Sequence, residues 1–148
     1  MDLHLNLDIV THILKYLSKD ESFNFLNVAS FMEPSRKILY GKYLFDHDKV
    51  PISHKKYIKK VKCKYLQGIQ FYENLVYLGI YNNDFDYPID NLPESLKTLN
   101  IVSSCFNQPL DNLPKNLLHL KTYGVYYNQI IKNLPEKLET LEIRSYKF

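Results

Sequence analysis

From about residue 75 onward, apolar and polar positions repeat with a period of 21. Leu96, Leu117 and Leu138 keep this step, as do Leu99, Leu120 and Leu141, and so do the aromatics Phe85, Phe106, Tyr127 and Phe148. Ile101, Thr122 and Ile143 follow, and the string Asn-Leu-Pro recurs at Asn91-Leu92-Pro93, Asn112-Leu113-Pro114 and Asn133-Leu134-Pro135. An earlier copy shows as Leu75, Leu78 and Ile80, ending on Phe85. Around Leu78 and Ile80 the residues alternate, which predicts a short strand with that pair pointing inward and its neighbours outward. The chain then turns, the aromatic returns to the core, and the next buried aliphatics are Ile89, Leu110 and Ile131, followed by the leucine before each proline. Proline has a fixed φ and no donor, which suits a segment outside the sheet. One such coil cannot bury its apolar face alone. Stacked coils bury it by placing parallel strands on one side of a continuous core, which is a solenoid.

Residues 5–45 lack this period and follow a helical one. Asn6 is a candidate N-cap with Asp8 in the first turn. Ile9, Val10, Ile13, Leu14 and Leu17 then make one wide apolar face. Ser18-x-x-Glu21 reads as a capping box opening a second helix, with Phe23, Leu26 and Phe25 as inward candidates. Ser30-x-x-Glu33 is another, and Pro34 falls in the first turn of a third helix over about 31–43, where no amide donor is needed. Three short helices with tight turns predict a small bundle. The fold class is therefore α+β: a three-helix bundle over 1–46, a linker over 47–57 and a short parallel-strand solenoid over 58–148.

Between the two, Asp46 to His54 reads as a polar connector, with Pro51 opposing helix. Ile58, Val61 and Cys63 are then spaced as the inward residues of a first, irregular solenoid strand, and Lys60, Lys62 and Lys64 alternate outward. Charge singles out the same stretch. Residues 1–50 balance at −1 and residues 71–148 at −2, whereas residues 51–70 carry six lysines and no acid. The lysines fit a solvated sheet edge that discourages strand-to-strand aggregation. An acidic partner and a nuclear-localisation or nucleic-acid role are the alternatives. So local a basic strip does not make the whole chain a nucleic-acid binder.

The remaining composition narrows the class of function. The chain has 148 residues and is 45% hydrophobic, an ordinary globular balance. No apolar run reaches the roughly 18 residues of a membrane span, so no membrane is expected. The start of the chain lacks the pattern of a signal peptide, which points to the cytoplasm, with the nucleus as the alternative. Cys63 and Cys105 stand apart from each other and from any zinc-ligand spacing, and both are expected as buried thiols. Asp46-His47-Asp48 is a poor metal candidate. No metal and no cofactor are expected. There is no GxSxG, no Cys-His pair at informative spacing and no phosphate loop, so a binding protein is expected, not an enzyme. Only two of the 19 basic residues are arginine, and Asn, Ile, Tyr and Phe abound, a usage that suggests AT-rich coding DNA.

Two resemblances extend this reading. Leu75-x-x-Leu78-x-Ile80-x-x-Asn83-x-Phe85 resembles the leucine-rich repeat. The asparagine-ladder position of such repeats reads Asn83, Ser104, Val125 and Tyr146, so it fades. Asp86, Asn107 and Asn128, each after the aromatic, are expected to bond turn amides in its place. Phe106-Asn107-Gln108-Pro109-Leu110, with Leu113-Pro114 behind it, resembles the FNIP repeat. Phe85-Asp86-Tyr87-Pro88-Ile89 and Tyr127-Asn128-Gln129-Ile130-Ile131 are diverged copies. That resemblance implies a leucine-rich-like solenoid used for protein contacts. The helical part resembles an F-box: Leu5-Asn6, then Ile13-Leu14-Lys15-Tyr16-Leu17, the charged turn Ser18-Lys19-Asp20-Glu21, and Val28-Ala29-Ser30-Phe31-Met32. It departs from that pattern where Asn6 replaces the usual proline and Met32 the usual tryptophan. A plain amphipathic bundle is the alternative.

The paired resemblance implies a substrate-recognition subunit of a Skp–cullin–F-box ubiquitin ligase. Contacts to the Skp-type adaptor would then fall on Leu5, Asn6, Leu7, Ile9, Ile13, Leu14 and Leu17, with Leu26 and Val28. An unknown target protein would lie on the outward strand residues. These are Tyr77, Gly79 and Tyr81, then Thr98, Asn100 and Val102, then His119, Lys121 and Tyr123, then Thr140, Glu142 and Arg144. Tyr77, Tyr81, Asn100, His119, Lys121, Tyr123, Glu142 and Arg144 are the candidate binding residues among them. The alternatives are an interaction module without ligase function, an adaptor decoy and a basic nucleic-acid binder. Proteins with FNIP repeats occur in amoebae and in the large DNA viruses that infect them. A viral member would turn the host's ubiquitin system to its own use. The solenoid's far end is expected to expose Leu138, Leu141 and Ile143 and to favour weak self-association.

Overall fold

The computed structural model describes residues 12–13, 15–18, 21, 44–50 and 52–146. The chain separates into two compact units, Met1–Tyr43 and Leu44–Phe148.

In the first unit, the Ser18 amide donates to Glu21 Oε2 at 2.8 Å and the Glu21 amide donates to Ser18 Oγ at 3.3 Å. This is the reciprocal capping box expected from the sequence. Hydrogen bonding to Ser18, through its side chain and then its backbone, holds the Glu21 carboxyl below the ordinary value. Ahead of it, Lys15 N donates to His12 O and Tyr16 N to Ile13 O, at 3.2 and 3.0 Å, a tight turn. The three-helix bundle as such, with its second capping box and third helix, lies outside the described residues.

The second unit is a parallel six-stranded sheet in sequence order. Its strands are β1 (Phe45–Asp46), β2 (Lys60–Cys63), β3 (Tyr77–Tyr81), β4 (Thr98–Val102), β5 (His119–Tyr123) and β6 (Thr140–Arg144). From β3 to β6 the register advances 21 residues per strand, pairing Leu78 with Leu99, Leu99 with Leu120 and Leu120 with Leu141. The solenoid and its parallel strands are as the repeat predicts.

Each coil is built from the same contacts. The carbonyls of Pro93, Pro114 and Pro135 accept from the amides of Leu96, Leu117 and Leu138, all at 3.0 Å, which turns the chain back toward the sheet. At the strand entrance a carbonyl of the preceding coil takes two amides. Val76 O accepts from Lys97 and Thr98, Lys97 O from Leu118 and His119, and Leu118 O from Glu139 and Thr140. Leu78, Ile80, Leu99, Ile101 and Leu120 are wholly buried, as are Leu75, Leu96 and Leu117. Burying each aliphatic is worth about 1.5–3 kcal/mol. Behind the sheet Phe85, Phe106 and Tyr127 stack, with ring centroids 5.9 and 6.1 Å apart and planes within 18°. Such pairs add about 0.5–1.5 kcal/mol beyond their burial.

The turn ladder forms at the position after the aromatic. Asp86 Oδ1 accepts from the Asn107 amide at 2.8 Å, and Asn107 Oδ1 from the Asn128 amide at 3.0 Å. A second stitch occupies the residue just after β3, β4 and β6, and Gly124 interrupts it after β5. Ser103 Oγ lies 2.8 Å from Phe85 O and 3.0 Å from Asn83 O, with one proton to share between them, Ser145 Oγ donates to Val125 O, and Asn82 Nδ2 to Lys64 O.

Three expectations need correction. β2 does not open the sheet, because β1 pairs with it, Phe45 opposite Val61 and Asp46 opposite Lys62. Its lysines therefore do not protect an edge. Residues 47–57 are not a plain connector: they fall in the second unit and hold two helical turns, His47–Lys49 and Ile52–Lys55. Finally, Cys105 is exposed while Cys63 is buried. Ser103 takes the inward place after β4, and Cys105 sits two residues on, where its amide donates to Ser103 Oγ at 3.3 Å. Burial pushes the Cys63 thiol up to about 12, with the charges of Asp48 and Asp46 adding to the shift.

The last described coil is less covered than the others. Leu141 is 42% exposed, and Leu138 and Ile143 are half-buried, where their counterparts one coil earlier, Leu120, Leu117 and Thr122, are buried.

Candidate binding face

Alternation on β3 to β6 sends the leucines and isoleucines inward, so their neighbours cover the open face of the sheet. The parallel register then sorts these outward residues into rows that run across the strands. One row holds Lys60, Tyr77, Thr98, His119 and Thr140. The next holds Asp46, Lys62, Gly79, Asn100, Lys121 and Glu142. The third holds Tyr81, Val102, Tyr123 and Arg144, with Lys64 continuing it one residue past β2. All eight candidate residues on the solenoid thus share one face. Of the adaptor candidates, Ile13 and Leu17 are half-buried. Leu5, Asn6, Leu7, Ile9, Leu14, Leu26 and Val28 lie outside the described residues.

The face has an uncharged aromatic middle. Tyr77 and Tyr81 are joined hydroxyl to hydroxyl at 3.1 Å, and Asn100 Nδ2 donates to the Tyr81 hydroxyl at 3.2 Å. The two rings lean over Gly79. A Cβ there would sit 2.5 Å from a Tyr81 ring carbon, so a side chain would displace the ring. Burial raises the Tyr81 hydroxyl above its ordinary value, the bond to Tyr77 adds to this, and the Asn100 bond opposes it. Asn100 Oδ1 is shielded from solvent and has no partner among the described residues. His119 Nδ1 meets Thr140 Oγ1 at 3.3 Å.

Charges lie to either side of that middle. Toward β6, Glu142 is gripped by Lys121 at 3.1 Å and by Arg144 at 2.6 Å, and the Arg144 guanidinium lies 5.1 Å from the centre of the Tyr123 ring. The hydrogen bond from Lys121 is the first cause of a lowered Glu142 carboxyl, and the same bond raises Lys121. Exposed pairs of this kind contribute little stability and chiefly fix side-chain positions. Toward β1, Lys62 meets Asp46 at 3.8 Å. A depression of about 250 Å³ opens there, lined by Asp46, Lys62, Lys64 and Tyr81 among others.

A cluster at the N-terminal end of the core was not legible beforehand. His47 Nδ1 lies 3.0 Å from the Tyr72 hydroxyl, and Lys55 is only 6% exposed, its ammonium 5.2 and 5.8 Å from the Tyr72 and Phe71 ring centres. Gly68, at φ +81°, makes room for it, since a Cβ would stand 3.3 Å from Lys55 Nζ. Burial lowers His47 and Lys55 and raises Tyr72. Tyr72 and Lys55 are enclosed by packing, and His47 is half-buried against them. Among the described residues no group of three His, Cys, Asp or Glu could hold a metal ion.

A parallel sheet of stacked coils with one open, polar-aromatic face defines a repeat solenoid protein. The sequence profile of the FNIP Repeat family matches residues 106–146, which span β5, β6 and the turns before them. No curated protein and no solved structure matches the chain.

Proposed function

We propose that this protein is the substrate-recognition subunit of a Skp–cullin–F-box ubiquitin ligase, working in the cytoplasm, and that it catalyses nothing itself. Its helical part would dock the Skp-type adaptor through Leu5, Asn6, Leu7, Ile9, Ile13, Leu14 and Leu17, with Leu26 and Val28, and its solenoid would hold a target protein. The observation that carries this reading is the pairing of an F-box-like segment with FNIP-type repeats whose open sheet face gathers tyrosine, arginine and lysine. Tyrosine and arginine are enriched where binding energy concentrates. The F-box half rests on sequence alone.

The full chain should capture a Skp-type adaptor, and Ile13→Glu with Leu14→Glu should abolish capture while the protein stays folded by circular dichroism. A folded wild-type chain that captures none removes the ligase role. Asn6 and Met32 favour a second reading, an interaction module or an adaptor decoy. Ubiquitin transfer to a co-purified target would argue against the decoy.

A further inference from the structure

We propose that the open sheet face takes an extended, acidic segment of the target, laid across the strands along Lys64, Tyr81, Val102, Tyr123 and Arg144. This rests on the reading of that face as the target-binding side, and adds the chemistry of what lies there.

Three observations converge. The first is geometry. The five residues form one row, each on a successive strand or just past it. Neighbouring strands are about 4.8 Å apart, so four steps span about 19 Å, the length of about six residues of extended chain. The second is the charge pattern along that row. Its two ends are cationic and its middle is neutral. At the β2 end, Lys60 and Lys64 have no ion pair among the described residues, and Lys62 has only Asp46 at 3.8 Å. At the β6 end, Lys121 and Arg144 share one carboxylate, Glu142, so one positive charge is left over. A segment with carboxylates about six residues apart would meet both ends. The third is the middle. Tyr81 is 41% exposed, and Val102 and Tyr123 are half-buried beside it. They offer aromatic and aliphatic surface to apolar side chains lying between the two acids. Complementary charge of this kind sets partner choice and encounter rate more than raw affinity.

A polynucleotide fits less well. It repeats a negative charge at every residue, whereas this face breaks its cations with Asp46 and Glu142 and leaves its centre neutral.

Selection of random peptides displayed on phage against the full chain tests the proposal. Enriched sequences should carry Asp or Glu at two positions five or six apart, with apolar residues between. The doubly substituted Lys64→Glu, Arg144→Glu chain should bind the selected peptides roughly tenfold more weakly or worse. It should also prefer their charge-reversed forms, a gain of function that misfolding cannot produce. Enrichment without acidic bias, yet lost on Tyr81→Ala with Tyr123→Ala in a folded chain, would overturn the acidic segment and leave the face as the target side. No enrichment, or enrichment insensitive to both pairs of substitutions, would overturn both. Displacement of the selected peptides by an equimolar single-stranded oligonucleotide, with steeply salt-dependent affinity, would also overturn the proposal and assign the face to nucleic acid.

Discussion

From β3 to β6 each strand lies 21 residues beyond the last, whereas β1 to β2 and β2 to β3 are steps of 16 and 17. The longer step leaves room for a loop that returns an aromatic, an aliphatic and the Leu-Pro leucine to the core. The shorter steps do not, and that end of the core is filled differently. Tyr72, Ile69, Ile58 and Val50 pack there with the stem of Lys55, so a hydroxyl and an ammonium are enclosed along with the carbon, and the half-buried His47 imidazole meets that hydroxyl. The regular coils bury mainly hydrocarbon, with Ser103 and Thr122 as their buried polar side chains, and set other polar atoms in ladders at the rim. The N-terminal turns bury polar atoms and must satisfy them inside. The two regions should therefore fail in different ways.

The largest effect is expected at the centre of the aromatic stack. Phe106 is 1% exposed and lies between Phe85 and Tyr127. Phe106→Ala should cost about 3–5 kcal/mol, from lost burial and the cavity left behind. In a solenoid each coil touches only its neighbours, so the damage should stay local. Hydrogen exchange should show β4 and β5 losing protection before β2. Uniform loss across all strands would mean that the two regions unfold as one and would break the distinction.

A smaller effect of opposite sign is expected one coil further on. Thr122 stands where the neighbouring coils have Ile101 and Ile143. It is 2% exposed, and its Oγ1 has no hydrogen-bond partner among the described residues. An unmet buried hydroxyl costs about 1–3 kcal/mol. Thr122→Val keeps the shape and removes the hydroxyl, so the urea midpoint should rise, by about 1 kcal/mol in stability. An unchanged or lower midpoint would mean that the Thr122 hydroxyl is satisfied inside its coil, as that of Ser103 is.

How far each region could be read from sequence follows the same division. Leu78, Leu99 and Leu120, the Phe85–Phe106–Tyr127 stack and the outward row from Tyr81 to Arg144 were all legible, because a strict period repeats one burial pattern and errors in it would be conspicuous. The Asp86–Asn107–Asn128 ladder was legible for the same reason. The stitch from Asn82, Ser103 and Ser145 keeps the period but skips Gly124, and small polar residues after a strand look like any turn. β1 was missed because two residues cannot show alternation, and its hydrogen bonds come from being laid beside β2. Lys55 reads as one lysine of a solvated run. Only the fold reveals that it alone of that run is enclosed.

The smallest expected effect tests the enclosed polar end directly. Burial first, and then the charge of Lys55, hold His47 below its ordinary value of 6.5, against the opposing pull of Asp48, the Gln67 backbone and Asp46. The fold therefore prefers the neutral ring. Protonation is easier in the unfolded chain, so the stability His47 contributes is complete above about pH 6.5 and is lost as pH falls through the lower, folded value. His47→Gln keeps a polar partner for the Tyr72 hydroxyl and removes the titration. Urea midpoints measured from pH 7.5 down to 5 should fall more steeply for the wild type than for the variant, with the gap opening below 6.5. Hydrogen exchange at pH 5.5 should place the wild-type loss in β1 and β2 and leave β4 and β5 unaffected. Parallel midpoint curves would mean that the imidazole keeps its charge options open to solvent. The N-terminal end would then be no more sensitive to pH than the regular coils.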